Sequence, residues 1–191
     1  YWVQSHGASC VFSDDKSSSW RFGADGSSTG ILKIDTAKTY SRISASGQVL
    51  AYLRAHGLFM EYLSEISAEP HNVSRIDVSA DISLDGASAI ASLRKRFASG
   101  ECSLGRKALP VTYVLGVRPD GKETGSFYAG HRTKARTTAN VYDKAYEALQ
   151  KRGEVIPPTT RYEMRMRGEK GRAGPSLRDA AEPDRLFWHI A

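Results

Sequence analysis

Cysteine is scarce in this sequence: its 191 residues include two, Cys10 and Cys102, which are far apart and form no C-x-x-C pair. A disulfide framework or a zinc ribbon needs several thiols at close spacing, so both are excluded. The sequence also has no run of 18 apolar residues, no signal peptide and no glycine-rich P-loop. These absences exclude a membrane-spanning helix and a nucleotide-driven motor, and they favour a cytoplasmic protein with reduced thiols.

What is present is the composition of a basic protein with a hydrophobic core. Hydrophobic residues make up 40% of the chain and aromatic residues 9%, which is enough apolar material to exclude a disordered chain. The formal net charge is +6, and this excess favours a polyanionic partner, either nucleic acid or an anionic membrane surface. A membrane-surface protein is disfavoured, because the sequence has no basic amphipathic helix with a clear apolar face.

Segments that alternate like strands come in groups, with helical segments between the groups. The alternation is cleanest over residues 74–82, and helical spacing is found over residues 46–66 and 85–97. This order predicts an α+β fold, with a curved, mainly antiparallel sheet and helices packed on one face. Two similar halves are one interpretation, since each half contains a charged alternating strand. We expect residues 1–170 to form one domain and residues 171–191 to extend it as a helical C-terminal segment.

Three of the predicted strands have an unusually polar face. Residues two apart in a strand share a face. The three faces consist, in chain order, of Arg75, Asp77, Ser79 and Asp81; of Arg136, Thr138, Asn140, Tyr142 and Lys144; and of Arg161, Glu163, Arg165 and Arg167. The opposite faces are mostly apolar and are expected to pack against the helices.

Aspartate is uncommon in strands, so the acidic residues of these faces require an explanation. Asp77 and Asp81 lie roughly 13 Å apart at strand rise, too far to share one ion unless the strand bends. One of them, paired with Glu163 from a neighbouring strand, would offer the hard oxygen ligands that suit Mg²⁺ or Mn²⁺. Basic residues on the same face would hold phosphates. The alternative is an ordinary solvated face with cross-strand salt bridges, and the pattern alone does not decide between the two.

Three motifs follow one another on these strands. They are Arg75–Ile76–Asp77; the segment from Gly130–His131–Arg132 to Val141–Tyr142–Asp143–Lys144; and Arg161–Tyr162–Glu163–Met164–Arg165. In order and spacing, over about residues 74–167, the chain resembles the replication-initiation-factor family. Its members start rolling-circle replication of small plasmids and filamentous phages, and their relatives include relaxases of conjugative elements. The sequence departs from the family pattern at His131, where Ser is usual, and at Asn140, where Arg is usual.

The resemblance implies a role for each matching residue. Tyr142 is expected to be the nucleophile, and Lys144 a nearby cation that assists it, because a phenol with a pKa of about 10 is a poor nucleophile at neutral pH. Asp77 and Glu163 are expected to bind Mg²⁺ or Mn²⁺, with Asp81 in reserve. The residues expected to contact DNA are Arg132, Lys134 and Arg136 of the turn and Arg75, Arg161 and Arg165 of the strands. Tyr146 is interpreted as a packing residue, with a second nucleophile as the alternative.

The implied reaction is metal-dependent nicking of one DNA strand through a 5′-phosphotyrosine intermediate, which allows the strand to be rejoined. The expected partners are origin DNA, single-stranded or extruded as a hairpin, a second copy of the chain and a host helicase. Nickases with a His-hydrophobe-His metal site are disfavoured, because no two of the five histidines are separated by one residue. One alternative is a noncatalytic DNA-binding module in which Tyr142 stacks on a base and the acids are salt-bridge partners. Another is a relaxase of a mobile element.

Overall fold

Two compact units make up the chain, Tyr1–His71 and Asn72–Ala191. The structure is a computed structural model that describes residues 2–23, 30–101, 110–131, 135–168 and 174–184. Each unit has an antiparallel sheet of its own, one of four strands and one of five. The α+β class and the antiparallel pairing are therefore confirmed, and the strands that were expected in one sheet are divided between two.

The first unit contains a four-stranded sheet followed by two helices. Its elements are α1 (Trp2–Ser5), β1 (Ala8–Ser13), β2 (Ser17–Phe22), β3 (Ile31–Thr36), β4 (Ser41–Ala45), α2 (Gly47–Ala55) and α3 (Phe59–Ser67). The strands pair in chain order, each antiparallel to the next. Phe22, Leu32, Val49 and Leu53 are almost fully buried, so the core of this unit lies where α2 packs on β2 and β3.

The helical segment predicted over residues 46–66 is divided in two near Gly57. Ser46 caps α2, because its hydroxyl accepts a hydrogen bond from the Val49 amide at 3.4 Å. Gly57 has a φ of +72°, a left-handed backbone conformation that glycine adopts without steric cost. The chain therefore ends α2 and begins α3 at Phe59 instead of continuing as one helix.

The second unit brings the three polar strands side by side. Its elements are β5 (Arg75–Ile82), α4 (Gly86–Ala98), β6 (Val111–Val117), β7 (Glu123–Ala129), β8 (Thr137–Asp143), α5 (Lys144–Arg152), β9 (Thr160–Arg167) and α6 (Leu177–Ala181). The strand order is β5-β9-β8-β7-β6, and all neighbours are antiparallel. The last strand, β9, thus lies between β5 and β8, so residues far apart in sequence become neighbours.

The apolar face of this sheet is packed against α4. Asp85 caps α4 by accepting a hydrogen bond from the Ser88 amide at 3.0 Å. The buried cluster between helix and sheet consists of Ile90, Phe127, Ala129, Ala139, Val141 and Met164. Because side chains alternate along each strand, the polar residues of β5, β8 and β9 project from the other face of the same sheet. We call this surface the polar face.

The remaining helix is short. α6 begins with a capping box in which Ser176 and Asp179 each bond the other's backbone amide. It lies in the segment predicted to extend the domain, and that extension remains a prediction. Across the described ranges, no helix has both the length and the apolar character needed to cross a membrane.

Candidate functional site

The polar face brings together residues from all three sequence motifs. Across β5 and β9, Asp77 is paired in register with Arg165, and Asp81 with Arg161. Across β8 and β9, Tyr142 is paired with that same Arg161. Residues directly opposite one another in a sheet have Cβ atoms about 5 Å apart. The predicted nucleophile and the predicted acidic residues therefore belong to one continuous surface.

Asp81 is held by Arg161 in a two-point ion pair. Arg161 Nε lies 2.6 Å from Asp81 Oδ1, and Arg161 Nη2 lies 2.6 Å from Oδ2. Hydrogen bonding to Arg161 keeps the pKa of Asp81 below its usual value, against a smaller opposing effect of burial. Both oxygens of Asp81 are thus directed at a guanidinium, which is the strongest geometry for such a pair.

Asp77 is bound by two arginines. Arg75, on the same strand, donates to both of its carboxylate oxygens. Arg165, from β9, donates to it at 3.0–3.2 Å. Burial alone would raise the pKa of Asp77, but the hydrogen bonds from Arg75 and Arg165 outweigh that effect and lower it.

Glu163 is the acid of this surface that is least well compensated by positive charge. Arg165 Nη2 lies 3.2 Å from Glu163 Oε1 and 3.0 Å from Asp77 Oδ2, so one guanidinium nitrogen is shared by two carboxylates. Burial and then the charge of Asp77 raise the pKa of Glu163, in contrast to the lowered pKa of Asp77. A second cation near Glu163 would stabilise its ionised form.

The metal ligands predicted from sequence are placed as follows. Asp77 and Glu163 are diagonal neighbours bridged by Arg165, whereas Asp81 is farther along β5 and paired with Arg161. Among the described residues, no group of three or more His, Cys, Asp or Glu side chains is arranged to hold a metal ion. Carboxylate oxygens fit Mg²⁺ or Mn²⁺ in chemical type, but binding at Asp77 or Asp81 would require the ion to compete with a guanidinium.

Tyr142 is half-buried on β8 beside Arg161. Burial, and then the negative charge of Glu147, raise its pKa to about 12, while the charge of Arg161 and its hydrogen bond to the hydroxyl partly oppose that rise. The phenol is therefore protonated at neutral pH. Any reaction through its oxygen requires more positive charge next to the hydroxyl, or a base that removes the proton.

Lys144 lies close to Tyr142, as the sequence predicts. Its Nζ is 5.9 Å from the centre of the Tyr142 ring, and the side chain is 13% exposed. The same Nζ lies 2.5 Å from Glu147 Oε2, so the lysine charge is paired with a carboxylate. Lys144 thus places a cation near the predicted nucleophile, and that cation is paired with Glu147.

A buried network that sequence reasoning missed fixes the point where β8 joins α5. Asp143 is 4% exposed and accepts hydrogen bonds from Arg118, from the Thr124 hydroxyl at 3.1 Å and from the Tyr146 amide at 2.9 Å. It is therefore at once an ion-pair partner and the N-cap of α5. The helix cap had a sequence signal, an Asp at a strand end before a helix. The ion pair had none, because Arg118 is 25 residues away.

Gly86, the first residue of α4, packs directly on this network. A Cβ atom built at Gly86 would lie 2.4 Å from Asp143 Cβ and 2.7 Å from Asp143 Cα. Real Cβ atoms do not approach other atoms that closely, so the position excludes every residue except glycine unless the backbone shifts. This close contact holds the start of α4 against the start of α5.

Tyr146 belongs to the Asp143 network and to α5, not to the strand that contains Tyr142. Its ring lies 5.4 Å from the guanidinium carbon of Arg118, within the range of a cation–π contact. This position agrees with the interpretation of Tyr146 as a residue that packs the start of the helix.

The predicted DNA contacts differ in how they are placed. Arg75, Arg161 and Arg165 lie on the polar face, and each is already paired with an acid. Arg136 immediately precedes β8, where its carbonyl accepts a hydrogen bond from the Arg167 amide at 2.8 Å. Arg132 and Lys134 lie outside the described residues. The arrangement matches the alternative expectation of cross-strand salt bridges, and it leaves phosphate binding as a prediction.

Both the sequence and the fold of this chain are similar to those of known proteins. The sequence model of a family described as "Replication initiation factor" matches residues 71–173, more than half of the 191-residue chain. Among solved structures, a rolling circle replication initiator protein from Geobacillus stearothermophilus is similar, with a TM-score of 0.57 and 18% sequence identity. The match covers 84% of this chain and 60% of that one, so this chain spans less than two thirds of that protein. At such low identity, the similarity establishes the fold. No curated protein matches the sequence.

Proposed function

Because this chain belongs to the replication initiation factor family, we propose that it initiates rolling-circle replication by nicking one DNA strand with Tyr142. The observation that supports this most directly is the register of β8 and β9. It sets Tyr142 beside Arg161 on a surface that also holds Glu163 and Asp77. The family match covers all of these residues.

The proposed reaction is an in-line displacement at phosphorus. The Tyr142 oxygen forms a bond to the phosphorus as the bond from phosphorus to the 3′ oxygen breaks. The phenol proton is lost to water, and the departing 3′ oxygen takes up a proton. The product is a free 3′ hydroxyl and a 5′-phosphotyrosine, which keeps the energy of the phosphodiester and allows the strand to be rejoined.

Residues of the polar face would position the phosphate and the nucleophile. Arg161 is paired with Tyr142 in the register of β8 and β9, and its guanidinium would stabilise negative charge on the Tyr142 oxygen. Glu163, with Asp77 beside it, would hold Mg²⁺ or Mn²⁺, and that ion, when bound, would withdraw electron density from the scissile phosphate. Lys144 would add positive charge on the side of the Tyr142 ring.

Arg136 is proposed to contact a DNA phosphate, and salt dependence tests this. The logarithm of single-strand affinity falls with the logarithm of salt concentration by about 0.7 for each neutralised phosphate. We expect Arg136→Ala to weaken binding and to reduce that slope by about 0.7. Lys122→Ala serves as the matched control, because Lys122 is an exposed lysine on the β6–β7 turn. An unchanged slope for Arg136→Ala, measured by fluorescence anisotropy, would remove Arg136 from the interface.

Covalent capture is the experiment that tests the function. The wild-type protein is mixed with a labelled library of single-stranded oligonucleotides and Mn²⁺, and an SDS-resistant adduct is sought. We expect an adduct that disappears when EDTA removes the metal. Nuclease digestion and peptide mass spectrometry should place the remaining nucleotide on Tyr142. Tight DNA binding with no adduct on any sequence would contradict the nicking function.

A noncatalytic DNA-binding module is the second candidate, and one observation favours it. Asp77 and Asp81 are held in arginine ion pairs, as expected for acids that serve as salt-bridge partners. In that case Tyr142 would stack on a base, and metal would have no effect on binding. A relaxase would use the same covalent step as a replication initiator. The two functions would therefore be distinguished only by the DNA sequence that the protein captures. A second copy of the chain and a host helicase remain proposed partners.

A further inference from the structure

A small cleft opens on the polar face between β7, β8 and β9. The residues that line it include Tyr128, Thr138, Asn140, Glu163 and Arg165. We propose that Asn140 and Glu163 together bind a divalent cation in this cleft. The inference rests on the proposed function and deepens it. It replaces Asp77 of β5 by Asn140 of β8 as the partner of Glu163 in binding the metal, and β8 is the strand that carries Tyr142.

Asn140 supplies the first observation. Its side-chain oxygen Oδ1 is buried and has no hydrogen-bond partner within the described part of the chain. A buried polar atom without a partner destabilises the folded state, so native proteins rarely leave one unless a ligand or ion completes the site. The amide oxygen is an acceptor, and what it lacks is a donor or a cation.

Glu163 supplies the second observation. It is directly opposite Asn140 in the register of β8 and β9, and both residues line the cleft. Its hydrogen bond comes from an Arg165 nitrogen that is shared with Asp77. An amide oxygen and a carboxylate that each need positive charge therefore lie next to one another.

The chemistry of this pair selects the ligand. Carboxylate and amide oxygens are hard ligands of the kind that bind Mg²⁺, Mn²⁺ or Ca²⁺. The other two acids of the surface are less available, because Asp81 and Asp77 receive guanidinium hydrogen bonds on both carboxylate oxygens. A cation at Asn140 and Glu163 displaces neither of those pairs.

The position of the cleft connects it to the proposed reaction. Asn140 and Tyr142 are two residues apart on one strand, on the same face, and roughly 7 Å apart at strand rise. A cation bound by Asn140 would thus lie near the phenol and near a phosphate attacked by it. Thr138, two residues before Asn140, adds a buried hydroxyl to the lining of the cleft.

The test measures Mn²⁺ binding in the absence of DNA, by the electron paramagnetic resonance signal of free Mn²⁺. Asn140→Ala is expected to raise the Kd for Mn²⁺ by about tenfold or more, as is Glu163→Gln. Asn140→Asp is expected to bind at least as tightly as the wild type, because it keeps an oxygen at that position and adds charge. Ser79→Ala is the matched control, since Ser79 is opposite Glu163 on its other side and does not line the cleft.

Circular dichroism melts establish that each variant is folded, and Asn140→Asp provides a second variant if Asn140→Ala is not. The inference is overturned if Asn140→Ala binds Mn²⁺ like the wild type, if the wild type does not bind Mn²⁺, or if Ser79→Ala weakens binding equally. A change in preferred DNA sequence at constant Mn²⁺ affinity would also overturn it, because Asn140 would then read a base. Failure of this inference can be told apart from failure of the nicking function. If no adduct forms but Mn²⁺ binding depends on Asn140, the inference stands and the nicking function fails. If a metal-dependent adduct forms but Mn²⁺ binding does not depend on Asn140, the nicking function stands and the inference fails.

Discussion

Tyr142→Phe is expected to abolish the covalent DNA adduct, with a loss on the order of 10⁴-fold or more, because the one atom removed is the oxygen that we propose as the nucleophile. The phenyl ring that remains keeps the half-buried position on β8 and the contact with Lys144. The hydroxyl next to Arg161 is lost, and we expect this to change the free energy of unfolding by no more than about 1.5 kcal/mol. The measurement is the yield of SDS-resistant adduct with Mn²⁺, together with a denaturant melt.

Tyr146→Phe is the matched control for this variant. It removes the hydroxyl of a tyrosine four residues away that lies on Arg118 instead of on the polar face. We expect it to form the adduct at nearly the wild-type rate. An adduct that persists in Tyr142→Phe and is lost in Tyr146→Phe would show that the chemistry is right and the assignment of the nucleophile is wrong.

Asp143→Ala is expected to lower the free energy of unfolding by about 3–5 kcal/mol, the range for removal of one partner of a buried ion pair. The variant leaves Arg118, whose side chain is 19% exposed, without its buried carboxylate. It also leaves the Thr124 hydroxyl without an acceptor and removes the N-cap of α5. Urea unfolding followed by circular dichroism measures the change.

Two further variants separate the charge of Asp143 from its hydrogen bonds. Asp143→Asn keeps an oxygen that can accept from the Tyr146 amide and cap α5, while its amide nitrogen replaces the oxygen that accepts from Thr124 and Arg118. We therefore expect a smaller loss than in Asp143→Ala. Combining Asp143→Asn with Arg118→Met removes a guanidinium that would otherwise keep only Asp85 Oδ1, at 3.9 Å, as a carboxylate partner among the described residues, and it should recover part of that loss. A loss below about 1 kcal/mol in Asp143→Ala would mean that the pair contributes no more than an exposed salt bridge.

Local periodicity predicted the strands and helices of the second unit well. β5 and α4 begin and end within one residue of the segments predicted over residues 74–82 and 85–97. These features depend on side chains a few residues apart, which a sequence displays directly. The separation into two sheets was not predicted, because strand alternation reports which face is buried and does not report which strand is the neighbour.

The ion pairs across the polar face could not be predicted from the sequence, for a related reason. The alternation showed that Asp77, Asp81 and the arginines share a face, but the partner of each acid depends on the register between β5 and β9. That register places an arginine opposite each aspartate. The same pairing leaves Asn140 opposite Glu163, a relation between residues 23 positions apart that only the folded sheet establishes.

The close contact of Gly86 with Asp143 has a consequence for genetics. Gly86 lies on α4 and has no reactive side chain, yet any larger side chain there would clash with Asp143, the residue that follows Tyr142. Under the proposed function, missense alleles at Gly86 would therefore group with those at Tyr142 in a random screen for loss of replication. A phenotype map drawn along the gene would mark this glycine as if it belonged to the polar face, and suppressor alleles should arise where they relieve crowding at the β8–α5 junction.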